Sequence, residues 1–219
     1  ANRCRRGGVD FPPQRQTSGA GELLWVRGKL LSYAGSVGSL LERRLFSTTR
    51  ECPARLVPTG DPITIPGSTF VTLTQSLGGT YTVIFNGNMA RIDGTDADAI
   101  GQHPLVLKFD PAAADGSVRE QDIWQTLKTI YDPEIPINIV DLGLVYGCDL
   151  IRRDEQNIAQ VRMTLTAANC GMGPVLVGDV EYRLAKVPNV DKVEVALLFD
   201  PPWSREMMSE EAQLELGMF

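Results

Sequence analysis

One cysteine holds most of the chemical promise of this chain. In Thr166-Ala-Ala-Asn-Cys170-Gly-Met-Gly-Pro174, Cys170 stands between a stretch with strand character and a proline suited to the first turn of a helix. Backbone N–H groups converge at such a junction and favour the thiolate, the form of cysteine that attacks electrophiles and binds metals. Gly171 and Gly173 are expected to leave the sulfur sterically open. The plain alternative is a cysteine packed as a small apolar side chain. Spacing alone does not choose between the two.

The neighbouring polar residues divide in the same way. Asp141 lies inside the apolar run Ile137-Asn-Ile-Val-Asp-Leu-Gly-Leu-Val145. A carboxylate there needs a partner, so Asp141 is expected to brace its loop close to the cysteine. Thr164 and Thr166 can hydrogen-bond near the sulfur, although as strand residues they need no such role. Asp132 and Glu134 flank Pro133. They read first as solvated acids at a helix stop, and second as a pair for acid–base work or a hard cation.

The other thiols are weaker candidates. Cys148 alternates with Leu150 on a predicted strand and is expected in the core, while Cys52, before Pro53, is expected near the surface. The chain has four cysteines without Cys-x-x-Cys spacing and one histidine, His103, so no clustered four-ligand metal set is written in it. A Cys–His catalytic pair requires His103 to reach Cys170. No Gly-rich phosphate loop or dinucleotide fingerprint is present, and nucleotide binding is not expected.

The elements that must hold Cys170 can be read outward from it. A helix lined by Ile123, Leu127 and Ile130 opens at Ser117-Val-Arg-Glu120, which has capping-box spacing, and ends before Pro133. Strands follow at 144–150 and 159–165, then a helix carrying Leu176, Val180, Leu184 and Val187, a strand at 192–199 and a short helix at 206–216. The order α-β-β-α-β-α predicts an α/β (α+β) domain at 117–219, with helices layered on a small sheet. Residues 109–116 read as a linker. Before it, 46–108 read as a small antiparallel all-β domain, a meander rolled into a sandwich or partial barrel. Its hairpins turn at Gly78-Gly79 and Asn86-Gly87. Residues 1–45 are Arg-rich and broken by Gly and Pro, and read as a disordered extension. A tail of no consequence is preferred there over an organelle leader.

Charge is uneven along the chain. Residues 1–50 hold nine Lys/Arg against three Asp/Glu; the remainder holds twelve against twenty-four. An acidic folded part is a poor partner for nucleic acid. No uncharged apolar run is long enough to span a bilayer, and cysteine usage fits a reducing cytoplasm.

Several separated motifs have a family look. Asp132-Pro-Glu-Ile-Pro, Val140-Asp-Leu-Gly-Leu-Val-Tyr146, Leu165-Thr-Ala-Ala-Asn-Cys170 and Asp200-Pro-Pro-Trp203 together resemble the Fe–S cluster assembly domain, which also occurs in PaaD-like proteins. Glu51-Cys-Pro-Ala, Gln75-Ser-Leu-Gly-Gly and Asn88-Met-Ala-Arg-Ile-Asp-Gly94 resemble the extra N-terminal region of bacterial SufT-type members. The resemblance implies a non-enzymatic accessory factor in Fe–S protein maturation. It aligns the family's central cysteine with Cys170, in a loop shared with the counterparts of Asp141 and Thr166. A transient Fe–S cluster or iron is the implied cargo, and the implied partners are the assembly machinery and client apoproteins. Where the family's loop often reads Cys-Pro, this chain has Cys170-Gly171, a looser arrangement. One thiol cannot enclose a cluster, so a second chain, a partner or a small thiol must complete it. A homodimer across the cysteine loops is one way to do so. Two other readings stay open: an interaction module with a structural Cys170, and a thiol enzyme.

Overall fold

The computed structural model describes residues 44–168 and 170–217, and the backbone of two short strands before them. These two, β1 (Leu24–Val26) and β2 (Lys29–Leu31), pair antiparallel within a first compact unit, Ala1–Leu40. The rest of the expected extension up to residue 43 lies outside the described residues, while its last two residues, Arg44 and Leu45, belong to the next sheet. The second unit runs from Leu41 to Phe219 and carries everything that follows.

Its first half is an antiparallel sheet of β3 (Arg44–Ser47), β4 (Cys52–Leu56), β5 (Pro62–Ile65), β6 (Phe70–Leu77), β7 (Thr80–Phe85) and β8 (Asn88–Ile92). The β6–β7–β8 meander turns where the sequence requires. Gly78 and Gly79 take φ of 56° and 72°, and Asn86 and Gly87 take 48° and 81°, the left-handed pair that a tight hairpin needs. Strand order is β3-β6-β7-β8-β4-β5, so β4 and β5 fold back onto β8 and the two edges, β3 and β5, do not close on each other. Cys52 departs from expectation. It is 0% exposed, because its strand places it opposite Ile65 in a core with Val71, Val83, Ala90 and Ile92.

The second half contains α1 (Glu120–Leu127), β9 (Val145–Arg153), β10 (Gln156–Met163), α2 (Gly173–Leu184), β11 (Lys192–Leu197) and α3 (Glu210–Glu215). β10 is the central strand, antiparallel to β9 and parallel to β11, and α2 is the crossover that a parallel pair needs. Ile123 and Leu127 of α1, with Ile130 just beyond it, meet Leu176, Val180 and Leu184 of α2 over the sheet in one aliphatic core. These are the apolar faces expected from the sequence. The capping box does not form. Arg119 is the N-cap and makes no side-chain cap bond. Its guanidinium instead donates to Asp122 and to the carbonyls of Asp110 and Pro111, so the chain enters α1 held by arginine rather than by Ser117.

Candidate functional site

Cys170 lies three residues ahead of Gly173, the first residue of α2. Its N–H donates to the Ala167 carbonyl at 3.0 Å and its own carbonyl accepts from Gly173 at 3.1 Å, so one continuous set of turns runs into the helix. Pro174 occupies the first turn, and the N-cap, Met172, offers no side-chain cap. The twelve-residue helix therefore presents its partly positive end toward the loop without a side-chain stopper. Cys170 is a free cysteine, half-buried, and packs in part against the aliphatic core. The two glycines beside it differ. Among the described residues, an added Cβ at Gly171 would meet nothing within 4 Å, so on their side that flank is open. Gly173 serves packing instead of access, since a Cβ there would come within 2.7 Å of Leu165.

Asp141 is a brace. Its N–H donates to Asn138 Oδ1 at 2.9 Å and its carboxylate accepts from Asn138 Nδ2 at 2.5 Å. Lys128 Nζ stands 3.7 Å from the other carboxylate oxygen. The backbone carbonyl of Asp141 accepts from Ser209, tying the loop to the segment before α3. Gly143 (φ 70°) turns the chain so closely against Met207 that a Cβ would lie 2.2 Å from its carbonyl oxygen. Trp203 Nε1 donates to the Leu142 carbonyl and Tyr146 Oη to the Pro201 carbonyl, both at 2.8 Å. The Val140–Tyr146 and Asp200–Trp203 motifs are thus partners in space. The loop reaches the cysteine strand through Thr164, whose N–H donates to the Leu144 carbonyl at 2.8 Å.

Among the described residues no hydrogen bond joins Asp141 or Thr166 to Cys170. Among the described residues, Thr166 is half-buried with no side-chain hydrogen bond, and the Thr164 hydroxyl is buried without a partner. Asp132 is not a solvated acid. It is buried, and one carboxylate oxygen accepts from the N–H groups of Glu134 and Ile135, an Asx turn around Pro133. Glu134 is exposed.

The six-stranded sheet supplies a wall behind this site. Gly60 (φ 77°), in the β4–β5 turn, sits against the backbone of Pro174, and Arg55 lies over Gly178. Farther along α2, Asp179, Tyr182, Arg183 and Lys186 follow the spacing of one helical face and turn toward the sheet half. Arg183, 0% exposed, donates from Nε to Asp93 at 2.7 Å and from Nη1 to the backbone and hydroxyl of Thr129, joining the end of α1 to α2 and to the chain after β8. Tyr182 Oη donates to Asp96 at 2.6 Å, and Lys186 Nζ stands 3.6 Å from the same carboxylate. Burial alone would raise Asp96, but the Tyr182 hydroxyl, Lys186 and Arg50 together hold it below the ordinary carboxylate range. Burial, then the Asp96 hydrogen bond, raises the Tyr182 phenol. The sequence had shown α2 only as an apolar stripe. The missed signal was its second, charged stripe at i, i+3, i+4 and i+7. The Asn138-x-x-Asp141 spacing was likewise a readable Asx brace.

Cys52 and Cys148 are held protonated at neutral pH. Burial, then Asp96, pushes Cys52 up to about 11, and burial, then Asp149, does the same for Cys148. Cys4 lies outside the described residues. His103 is exposed, and no hydrogen bond joins it to Cys170. Among the described residues no three His, Cys, Asp or Glu side chains converge on a common metal position. Nor is any described helix long and apolar enough to cross a membrane.

A helix-on-sheet domain with a free thiol at the strand-to-helix turn defines the class, and comparison with known proteins agrees. The family described as "Iron-sulfur cluster assembly protein" matches residues 120–197. The chain is 46% identical over 98 residues to an Fe-S protein maturation auxiliary factor of Porphyromonas gingivalis, covering 90% of that relative and 45% of this chain. It is 38% identical over 99 residues to the Fe-S protein maturation auxiliary factor YitW of Bacillus subtilis, covering 94% of that relative and 45% of this chain. With the Fe-S protein maturation auxiliary factor SufT of Staphylococcus aureus it shares 40% identity over 89 residues, 98% of that relative and 41% of this chain. The chain belongs to the iron–sulfur cluster assembly protein family. The six-stranded sheet lies outside the matched stretch.

Proposed function

We propose that this chain is an auxiliary factor in Fe–S protein maturation that offers Cys170 as a transient ligand to a cluster or to iron in transit. The observation that carries the reading is a free, half-buried thiol with an open flank at Gly171, set ahead of an uncapped helix in a member of this family. Thiolate sulfur is the standard protein ligand for such clusters. One sulfur binds weakly enough to release its cargo, and the remaining ligands come from elsewhere: assembly machinery, a client apoprotein, a small thiol or a second copy of this chain. In this reading Asp141 braces its own loop, and the Thr166 hydroxyl, without a partner among the described residues, is free to donate to a cluster sulfide. The free thiols suit a reducing cytoplasm. No step calls for an enzyme's base or resolving cysteine, and the names of the relatives are those of auxiliary factors.

Anaerobic reconstitution of wild type beside Cys170→Ser, read by iron and sulfide content and by maturation of a client enzyme, tests this. Wild type should carry labile iron and sulfide and raise client activity; the serine variant should do neither. Equal maturation by both would remove Cys170 from the mechanism. If a homodimer supplies the second thiolate, cluster absorbance will appear only in the dimer fraction of a sizing column.

A second reading is favoured by one observation, the partial packing of Cys170 against the aliphatic core. In it the cysteine is structural and the chain recruits partners. Alkylation separates the two: a thiol that reacts faster than a free cysteine at neutral pH supports the ligand role, and a slower one supports packing.

A further inference from the structure

The six-stranded sheet lies outside the stretch that carries the family match, yet it grips the first half of α2, the part that leads out of the Cys170 loop. Arg55 on β4 and Arg91 on β8 stand opposite each other in register, so both side chains leave the same face of the sheet. Both meet α2. Arg91 reaches Asp179, with Nε 2.9 Å from Oδ2. Arg55, half-buried, crosses the helix at Gly178, where a Cβ would fall 2.4 Å from its Nε. Arg55 Nη1 also donates to the Gly60 carbonyl at 3.1 Å. Gly60 in turn sits on the backbone of Pro174, and a Cβ there would stand 2.7 Å from both the carbonyl carbon and the carbonyl oxygen.

Two glycines, one from each half of the fold, make this approach possible. Gly60 also needs its left-handed φ of 77°. Gly178 is in a helix interior, where glycine is otherwise unfavourable. The helix gives up propensity at that point because an arginine of the sheet takes the place of its side chain. From Pro174 the link runs on to the sulfur through the backbone. Pro174 follows Gly173, whose N–H donates to the Cys170 carbonyl at 3.1 Å, and the Met172 carbonyl accepts from Leu176 at 3.0 Å.

We propose that the six-stranded sheet is a positioning element for the cysteine site, with Arg55 and Gly60 as its positioning residues. They act through Pro174 and not on the cargo. By fixing the first turn of α2 they set the depth at which the half-buried sulfur rests against the core. The proposal rests on the reading of Cys170 as a cluster ligand.

Alkylation of the native full chain by iodoacetamide, mapped by peptide mass spectrometry, tests it with Cys148 as the internal reference. Cys148 is half-buried against the same core but belongs to β9, which takes no part in the contact. In Arg55→Met and in Gly60→Ala, Cys170 should react at least about threefold faster than in wild type, while Cys148 keeps its rate. Arg55→Lys, which can still donate to Gly60, should fall between wild type and Arg55→Met. Iron and sulfide retained after anaerobic reconstitution should drop in the same order, compared at equal folded fraction by circular dichroism. If Gly60→Ala does not fold, the two Arg55 variants carry the test. An unchanged Cys170 rate in Arg55→Met overturns the proposal. So does a parallel rise at Cys148, which would mean general loosening. Failure of the ligand reading is a separate result: Cys170→Ser then matures clients as well as wild type, and the positioning has no function to serve even where Arg55→Met speeds alkylation.

Discussion

The two sides of α2 are built on opposite plans. At its N-terminal end, the Cys170 loop is held by turn hydrogen bonds of the backbone, a side chain at its neighbour Gly171 would meet none of the described residues, and no side chain caps the helix. Along the face toward the six-stranded sheet, Arg183, Tyr182 and Lys186 are pinned by charge-assisted contacts to Asp93 and Asp96. The contrast teaches where rigidity has been placed. The helix axis is fixed by buried charge, and the loop ahead of it by backbone turns alone.

The comparison breaks most directly at Arg183. Arg183→Met leaves Asp93 buried without its cation and should lower unfolding free energy in urea by about 3–5 kcal/mol. A loss below about 1 kcal/mol would mean that the charged face is not what holds α2. Adding Asp93→Asn should recover part of the loss if the pair acts as a unit. Next in size is Gly60→Ala, which combines a φ of 77° with a Cβ 2.7 Å from the Pro174 backbone. A loss of about 1–3 kcal/mol is expected in the same titration.

The pH dependence of stability sharpens the contrast within the charged face. Asp179 has a folded value of about 6 against an ordinary 3.8, so its contribution is fully present below about 3.8 and is lost as pH rises through 6. Asp96 has the opposite sign. Its folded value is lowered, so its contribution is present above 3.8 and lost as pH falls below it. Melting temperature measured between pH 4 and 7 should decline less steeply in Asp179→Asn than in wild type, with the Asp96 effect confined to more acidic solution. Parallel curves for the two proteins would show that Asp179 does not titrate there. The smallest effect is expected at the open end: Cys170→Ser should change stability by no more than about 0.5 kcal/mol in calorimetry. A larger loss would move Cys170 into the core and favour the structural reading.

What the sequence disclosed depended on the range of the interaction. The hairpins at Gly78-Gly79 and Asn86-Gly87, and the apolar stripes of α1 and α2, are local patterns and read correctly. The return of β4 and β5 onto β8 is a long-range pairing that no local period encodes, and it put Cys52 in a core instead of at the surface. Ser117 and Glu120 had capping-box spacing, but Arg119 found three oxygens nearby and displaced the box. Asp141 was recognised as needing a partner because a carboxylate in an apolar run is conspicuous. Its partners, Asn138 and Lys128, needed the folded loop to be seen. Asp93, Asp179 and Arg183 drew no reading at all, since nothing in a linear pattern says that a second sheet will cover them.

The empty space beside Gly171 has a consequence for variation. Its backbone takes no left-handed φ and a side chain there would strike nothing, so substitution at this one position should leave folding almost untouched. Bulk or a ring placed there would alter only how stiffly the sulfur is presented and how large a visitor it can receive. In the cargo role proposed for Cys170, position 171 would therefore tune how the sulfur is presented while leaving the scaffold undisturbed.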